Sequence, residues 1–584
     1  MGVKAGSWAF TKATNYTNTA FIIKSIGGYD MSNECMAELL FPDVKQLPAD
    51  IYSLFPPRNL SSSAMVTRFA PSPTGSLNIG GLYATLVSER LAHQSNGVFF
   101  LRIEDTDKKR EIKGSIENII NSLLYFGICF DEGPTFTGDD MGNYGPYKQS
   151  SRIQIYKVFI KYLVRNGLAY PCFCDTDDLQ KIRISQQDLK VTTGYYGRWA
   201  KHRDISFQQV QEEISNGKPF VIRLKSSGSS DSRITYHDLV KGEIELPEND
   251  QDIVIMKTDG LPTYHFAHAI DDHLMGTTHI IRGDEWLSSV PIHIQLFETL
   301  GFTIPQYGHI APIMKQVGAS KRKFSKRKDL DGTAEYYREQ GYPGMAISEY
   351  FMNLINSDFE EWKMTNPNNT FRDFFINPSK MNASGALLDM NKLSDVSKDV
   401  ISRLTGKQVF DYLYDWSEEF DSEFHTLIDK YQEYTVDILN IGRTIEKPRK
   451  DYSKWSDVKP MIAFFYDELF EKDVLSGYEL PPNVSFDVAK EIVLGFSKTY
   501  SFTNEKDTWF NNIKELASEL GFAKNMKEYK ANPNNYKGHV GDVAMVIRVA
   551  LTNRTNTPDL FDIMKVMGEK RVLSRLHTFF GHSF

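Results

Sequence analysis

The sequence predicts an α/β, Rossmann-like domain carrying an inserted α+β connective domain, followed by an all-α C-terminal region. Three observations lead there. An apolar run over 65–69, a Pro/Gly turn and a helical pattern lead into a second apolar run over 98–103, the layout of a βαβ unit and so of a parallel sheet. Between about 171 and 250, short strand signals such as Phe220–Leu224 lie among polar loops. Beyond about 335, aromatic and aliphatic residues recur at helical spacing almost without a break.

Taken in order, residues 1–63 read as an N-terminal extension. From Met1 to Tyr29 there are Lys4, Lys12 and Lys24 but no acid. That composition suits an organellar transit peptide, although arginine and an amphipathic stripe are missing; a translated extension ahead of a start at Met31 accounts for it as well. Pro42, Pro48, Pro56 and Pro57 punctuate an arm over 35–63. The first half of the Rossmann-like domain spans 64–170. Leu82 and Leu86, with Tyr83, Val87 and Leu91 one row over, give a helix ending near Asn96 and Gly97. Ile112, Ile116, Ile119, Ile120, Leu123 and Leu124 give the face of another, stopped by Gly127. The insert is placed at 171–250. The second half, 251–330, regains the parallel-sheet signature at Asp252–Met256 and His279–Arg282, with the helix Val290–Leu300 before a lysine-rich loop. The helical remainder divides into 331–400 and 401–584.

A chain of 584 residues exceeds one hydrophobic core. It has no run of 18 or more apolar residues, so no membrane segment is expected. The formal net charge of −8 argues against generic nucleic-acid binding. Local basic patches still act, because screening confines each field to roughly 8–10 Å. Four cysteines rule out a disulfide framework and suit a reducing compartment.

Two distant segments make chemical sense only together. Ala70-Pro71-Ser72-Pro73-Thr74-Gly75 is a turn of small residues and prolines that lets backbone approach a nucleotide closely. Gly80 and Gly81 then leave room at the start of a helix whose N–H groups attract phosphate. The second segment, Lys321–Lys328, supplies cations able to stabilise a triphosphate as charge shifts during reaction. Each has a plainer reading alone, a tight structural turn and a solvated charge run. Jointly they point to nucleotidyl transfer from ATP.

Pro71–Gly81, Leu101–Asp107, Leu261–His268, Ile281–Trp286 and Lys323–Arg327 resemble, in order and spacing, the motifs of the bacterial-type class I glutamyl-tRNA synthetases. The resemblance implies that L-glutamate and ATP give glutamyl-adenylate and pyrophosphate, after which glutamate passes to the 3′ terminal adenosine of tRNA(Glu). It makes the α/β part the catalytic domain, 171–250 the connective, acceptor-binding domain, 331–400 a stem-contact region and 401–584 the anticodon-binding domain. The partners implied are tRNA(Glu), L-glutamate and ATP with Mg2+, in a cytoplasmic monomer with no membrane association. The acid-poor N-terminus keeps mitochondrial or other organellar targeting open.

The same resemblance assigns residues. Asn78, Lys323 and Lys326 form the catalytic set, and Ser72, Pro73, Thr74, Gly80, Gly81, Ser325 and Lys326 bind ATP. Arg68 and Arg282 hold the side-chain carboxylate of glutamate, Tyr264 adds a phenol, Glu104 faces the α-ammonium, and Ala70, Ser72 and His268 line the pocket. An arginine fork suits a carboxylate, and glutamine would leave a buried guanidinium unpaired at a cost of about 3–5 kcal/mol, or 100-fold and more. The plainer reading for both arginines is an internal salt bridge, for instance to Asp284 or Glu285.

One departure is Asn78, where the family carries histidine. An amide donates to phosphate but never becomes cationic, so slower activation is expected. Two alternatives follow: an enzyme that also charges tRNA(Gln), and a catalytically weak tRNA-binding paralogue. Cys172 and Cys174 resemble the first half of a zinc site in some bacterial members. The downstream stretch Tyr195–His202 adds only His202, so three ligands fall short of four and a metal-free knuckle is expected. In the C-terminal region Arg443, Lys447, Arg449, Lys450 and exposed aromatics are the candidates for base reading, with no contact residue nameable.

Overall fold

The computed structural model describes residues 31–324, 329–443, 445–482 and 484–581. Ser325 and Lys326 lie outside the described residues, as do residues 1–30, on which the transit-peptide and extension readings rest. The chain divides into two compact units. One holds the residues up to Leu54 with Ile153–Ser230 and Asn249–Ala267; the other holds Phe55–Arg152, Asp231–Glu248 and His268 onward.

The larger unit begins with the parallel strands Val66–Phe69 and Val98–Leu101, joined by the helix Ile79–Gln94. A second parallel ladder pairs His279–Gly283 with Gln306–Ile310, joined by the helix Val290–Leu300. The strand 306–310 was not anticipated from the sequence. Thr278 N–H donates to Val66 O at 3.0 Å, setting the two ladders edge to edge. Ligands of such sheets bind beyond the carboxyl ends of the strands, and Arg68 and Arg282 stand at those ends. The hairpin Arg233–Asp238 with Gly242–Pro247 also belongs here, and Leu239 N–H donates to Tyr307 O at 2.9 Å.

The second predicted helix is narrower than expected. It runs Ser115–Tyr125 after Gly114 in a left-handed conformation, and buries Ile119, Ile120 and Leu123. Ile112 precedes it and is 53% exposed, while Leu124 is 48% exposed. Consecutive helical positions differ by about 100°, and the step from Leu123 carries Leu124 past the edge of the buried face that Ile119, Ile120 and Leu123 share. Farther on, a Cβ at residue 344 would sit 1.8 Å from Tyr125 O, so Gly344 alone permits the close approach of the helix Gly344–Ile355. From about residue 401 the helices enclose one apolar core that includes Trp455, Ile492, Val543 and Ile547. Arg443 is consumed by backbone, donating to the carbonyls of Leu439 (2.6 Å) and Ile401 (2.8 Å). Arg449 pairs with Asp451 and Lys450 with Asp399, while Lys447 is exposed.

In the smaller unit the proline-punctuated arm is structural. It forms the helices Met31–Leu40 and Pro48–Leu54 and buries Met36, Ala37, Phe41, Val44 and Ile51. Lys161 Nζ donates to the carbonyls of Phe41 (3.1 Å) and Val44 (2.8 Å), and Arg165 pairs with Glu34 (2.7 Å) and Glu38 (2.9 Å). Ala169–Cys172, Val221–Leu224 and Val254–Met256 form an antiparallel sheet in that order. Residues 252–256 therefore do not resume the parallel sheet as expected; a short buried apolar run has the same composition in either kind of sheet. This unit starts earlier than the predicted insert, at Ile153, and leaves the 233–247 hairpin to the larger unit. Among the described residues no helix is long and apolar enough to cross a membrane.

Candidate active site

The nucleotide turn closes around a helix cap. Asn78 precedes the helix Ile79–Gln94 with extended backbone, and its Oδ1 accepts the Gly81 N–H at 2.5 Å. The carbonyl end of the amide therefore caps the helix, and its NH2 end is a hydrogen-bond donor. A Cβ on residue 81 would press at 3.2 Å on both Asn78 Oδ1 and Leu77 Cδ1, so Gly81 makes room for the cap. Gly75 sits at φ +111°, a conformation that side chains oppose. Ser72, Thr74, Gly75, Asn78 and Gly81 are among the residues lining a cavity of about 200 Å³.

The lysine segment is tied to this turn on its far side. Thr333 forms an isolated bridge with Asn78, and Ala334 N–H donates to Leu77 O at 2.8 Å. Before the loop, Lys323 ends the hairpin Met314–Val317 with Ser320–Lys323, and its Nζ lies 2.9 Å from Glu285. Arg322 and Asp329, flanking residues 325–328, form a two-pronged pair with both distances 2.6 Å.

Beside the turn lies a buried set of arginines and acids. Arg68 Nε is 3.3 Å from both oxygens of Asp272. Arg102, wholly enclosed, donates to Asp272 at 2.7 Å and to Glu104 at 3.2 Å. Asp271 receives Arg152 Nε at 2.7 Å and Gln149 Nε2 at 2.9 Å. Glu104 is positioned by its own N–H, which donates to Pro71 O at 2.9 Å. Burial pushes the Glu104 carboxyl up to about 7, against the pull of Arg102 and Arg68. Burial also opposes charge on Asp272, but Arg102 and Arg68 hold its carboxyl well below the usual range.

One expectation is corrected here. His268 was expected to line the pocket, but it is completely enclosed, with Nδ1 3.0 Å from Asp272 and Nε2 3.3 Å from the Tyr307 hydroxyl. Burial drives it down to about 4, so it is a neutral brace behind Asp272 rather than a wall of the pocket. Arg282 meets two histidines and a carbonyl. Its Nε donates to His309 Nε2 at 2.9 Å, Nη1 lies 3.0 Å from His293 Nδ1, and Nη2 donates to Trp286 O at 3.2 Å. Asp284 pairs with Lys241 at 3.1 Å and Glu285 with Lys323.

Asp271, Asp272, Arg102, His309 and Asp238 were missed in the sequence. Tyr264, His268 and Asp272 recur every four residues along the helix Tyr264–Leu274 and so share a face. Adjacent acids inside so apolar a helix are a signal of buried cationic partners. Tyr264, half-buried, opens that helix in the smaller unit.

The smaller unit holds a second cluster. Cys172, Cys174 and His202 bring their ligand atoms within 4.8 Å of one another. The Tyr195 hydroxyl, unforeseen, lies 3.3 Å from Cys172 Sγ and 3.5 Å from Cys174 Sγ, and His202 Nδ1 lies 3.7 and 3.4 Å from the same atoms. With Zn–S near 2.3 Å and Zn–N near 2.0 Å, the edges of a tetrahedral site are about 3.5 Å. The spacing of the four donors is of that size.

Residues 64–394 match the family model described as tRNA synthetases class I (E and Q), catalytic domain, and residues 418–580 match an anticodon binding domain. The chain is 50% identical over 546 residues to a glutamate–tRNA ligase of Clostridium perfringens (strain 13 / Type A), covering 94% of this chain and 100% of that protein. It is 42% identical over 570 residues to one from Sorangium cellulosum (strain So ce56), covering 93% and 100%. Among solved structures, the glutamate tRNA ligase of Elizabethkingia meningosepticum CCUG26117 in complex with its amino acid is similar at TM-score 0.67 and 25% identity, covering 88% of this chain and 99% of that one.

Proposed function

Because this chain belongs to the class I glutamyl-tRNA synthetases and is a glutamate–tRNA ligase, we propose that its adenylate is made between the Asn78 turn and the lysine segment. Glutamate's α-carboxylate attacks the α-phosphorus of ATP; a carboxyl–phosphorus bond forms, the bond to the β-phosphate breaks, and pyrophosphate leaves. Lys323, which would exchange Glu285 for phosphate, binds the leaving group together with Lys326 and Ser325, and Mg2+ on the nucleotide would neutralise phosphate charge. Ser72, Pro73, Thr74, Gly80 and Gly81 shape the nucleotide site. Arg68 and Arg282 take the side-chain carboxylate, Tyr264 adds a hydroxyl, and Glu104 receives the α-ammonium beside Ala70. The 3′ adenosine hydroxyl then attacks the carbonyl and AMP departs.

The observation that carries this reading is the pairing of Asn78 with Thr333, which ties the exit of the lysine segment to the nucleotide turn. The acceptor end is assigned to the connective domain around 171–250, the stem to 331–400 and the anticodon to 401–584, in a cytoplasmic monomer. Zinc, held by Cys172, Cys174, His202 and Tyr195, would supply a structural crosslink and no chemistry. The test is glutamate-dependent charging of tRNA(Glu) transcripts by wild type and Lys326→Ala. Loss of at least about 100-fold in the variant is expected from removal of a transition-state charge contact; a variant of full activity overturns the assignment.

Asn78→His is expected to keep the cap. Another helix of this chain starts in that way, with His539 Nδ1 accepting Gly541 N–H at 2.9 Å. The capping ring is neutral; when phosphate binds, it gives up the cap, takes a second proton and presents a cationic donor in place of a neutral one, so adenylate formation should rise about 3- to 10-fold. Rapid-quench measurement of adenylate with no rise sinks the idea.

Glu104 predicts a pH effect. The ammonium needs the carboxylate, and the folded carboxyl is raised to about 7. The sign follows: glutamate binding is full above that pH, and below it KM for glutamate climbs about tenfold per unit as the acid form takes over. Steady-state charging across pH 5.5–8.5 checks it, with KM for ATP as control; a flat glutamate KM contradicts it.

A further inference from the structure

We propose that Asp238 and His309 are positioning residues for glutamate recognition, acting through Arg282. The proposal rests on the reading that Arg282 meets the substrate's side-chain carboxylate. His309 is fully buried and engaged on both ring nitrogens: Nδ1 lies 2.6 Å from Asp238 Oδ2, and Nε2 lies 2.9 Å from Arg282 Nε. A guanidinium only donates. Nε2 must therefore present its lone pair, and the single ring proton sits on Nδ1, pointing at Asp238. Burial of His309 supports the neutral form.

Asp238 is itself fixed. Its carboxylate also accepts the backbone N–H of His309 at 3.1 Å and those of Val240 and Lys241 at 3.0 Å each. These last two belong to the turn of the 233–247 hairpin, so the hairpin's geometry is passed through one imidazole to the guanidinium. On its other sides Arg282 is held by His293, by the Trp286 carbonyl and by the Tyr307 ring, 4.7 Å below. The guanidinium is oriented from four directions. A two-pronged grip on a carboxylate depends on that plane, and small misplacements of a recognition group are costly. An imidazole that accepts without carrying charge orients Arg282 and leaves its positive charge for the substrate. The plain alternative is a buried Asp–His pair that only holds the hairpin to the sheet.

The experiment compares full-length Asp238→Asn, His309→Leu, His309→Gln and Arg282→Lys by charging kinetics with glutamate, ATP and tRNA varied in turn. For Asp238→Asn and His309→Leu, KM for glutamate should rise about 10- to 100-fold, the preference for glutamate over glutamine should narrow by a similar factor, and KM for ATP should stay within about twofold. His309→Gln keeps an acceptor near the Nε2 position and should recover to within about threefold of wild type. Unchanged glutamate KM in folded Asp238→Asn and His309→Leu, or an equal rise in all three KM values, overturns the proposal in favour of the structural role. If Arg282→Lys leaves glutamate KM unchanged, the reading of Arg282 itself fails; if it raises KM and the other variants do not, only the present proposal falls. Should Asp238→Asn fail to fold, the contrast between His309→Leu and His309→Gln decides alone, equality of the two in glutamate KM being the negative result.

Discussion

Replacing Arg102 with methionine is expected to cost about 3–5 kcal/mol of stability and to abolish measurable charging. The guanidinium has no exposed surface and lies within salt-bridge distance of Asp271, Asp272 and Glu104 at 3.9, 2.7 and 3.2 Å. Methionine fills much of the volume, so the loss is electrostatic rather than a cavity. Asp271 keeps Arg152 and Gln149. Asp272 keeps only longer contacts from Arg68, together with His268 and the Thr277 hydroxyl, and its charge becomes the main uncompensated one. The pairwise logic gives a sharper form of the test. Arg102→Met combined with Asp272→Asn removes both signs and should regain at least about half of the lost stability, because breaking a buried pair costs more than replacing it. Activity should not return in the double variant, since Arg68 then loses the anion that places it. Denaturant unfolding of the two proteins beside wild type reads the first claim, and pyrophosphate release reads the second. A single variant within about 1 kcal/mol of wild type would mean that these charges contribute little, and the account of the pocket as an electrostatic assembly would be wrong.

How much of this was legible beforehand follows from which signals are local. The turn at 70–81 and the lysine segment carry their chemistry in consecutive residues, and the parallel pairing of Val66–Phe69 with Val98–Leu101 follows from the length of the crossover. Arg68, Glu104 and Arg282 were singled out by resemblance, but the groups that hold them were not. Asp272 meets Arg68 across 204 positions and Asp238 meets His309 across 71; nothing near either residue marks the encounter. The strand Val254–Met256 was misassigned because a buried apolar triplet does not record the direction of its neighbours. The arm over 35–63 was read as a lead-in to the first domain because its prolines look like loop punctuation. Two of them lie at or beside helices instead, Pro48 beginning one, where the missing N–H costs nothing. Asn78 looked like a weakened catalytic group, yet asparagine is among the best helix caps, and that second task explains how the position tolerates it.

Removing metal from the Cys172–His202 knuckle is expected to unfold that part of the smaller unit while sparing the parallel sheet. Structural zinc contributes on the order of 10 kcal/mol to the folding of a small site. The apolar cluster around it here is small, with Tyr170, Ile182, Tyr195 and Ala200 as its buried members beside Cys172. Cys172 ends the strand Ala169–Cys172 and His202 lies thirty positions on, so the ion would tie a strand end to the loop that carries His202. The fourth ligand is the decisive element. Tyr195 carries the Arg223 guanidinium 3.9 Å from its ring, which holds the ring in place. Elemental analysis of protein purified without chelator should give about one zinc per chain, as a single tetrahedral site requires. Tyr195→Phe should retain the fold but bind the metal at least about tenfold more weakly, as a three-donor site does, and Cys174→Ser should lose it. Because the thiols must be deprotonated to bind, retention should fall as pH drops below about 6, which dialysis at graded pH would follow. Protein that contains no zinc as isolated, and whose melting is unaltered by added zinc or by chelator, would show that the four donors converge for hydrogen bonding alone.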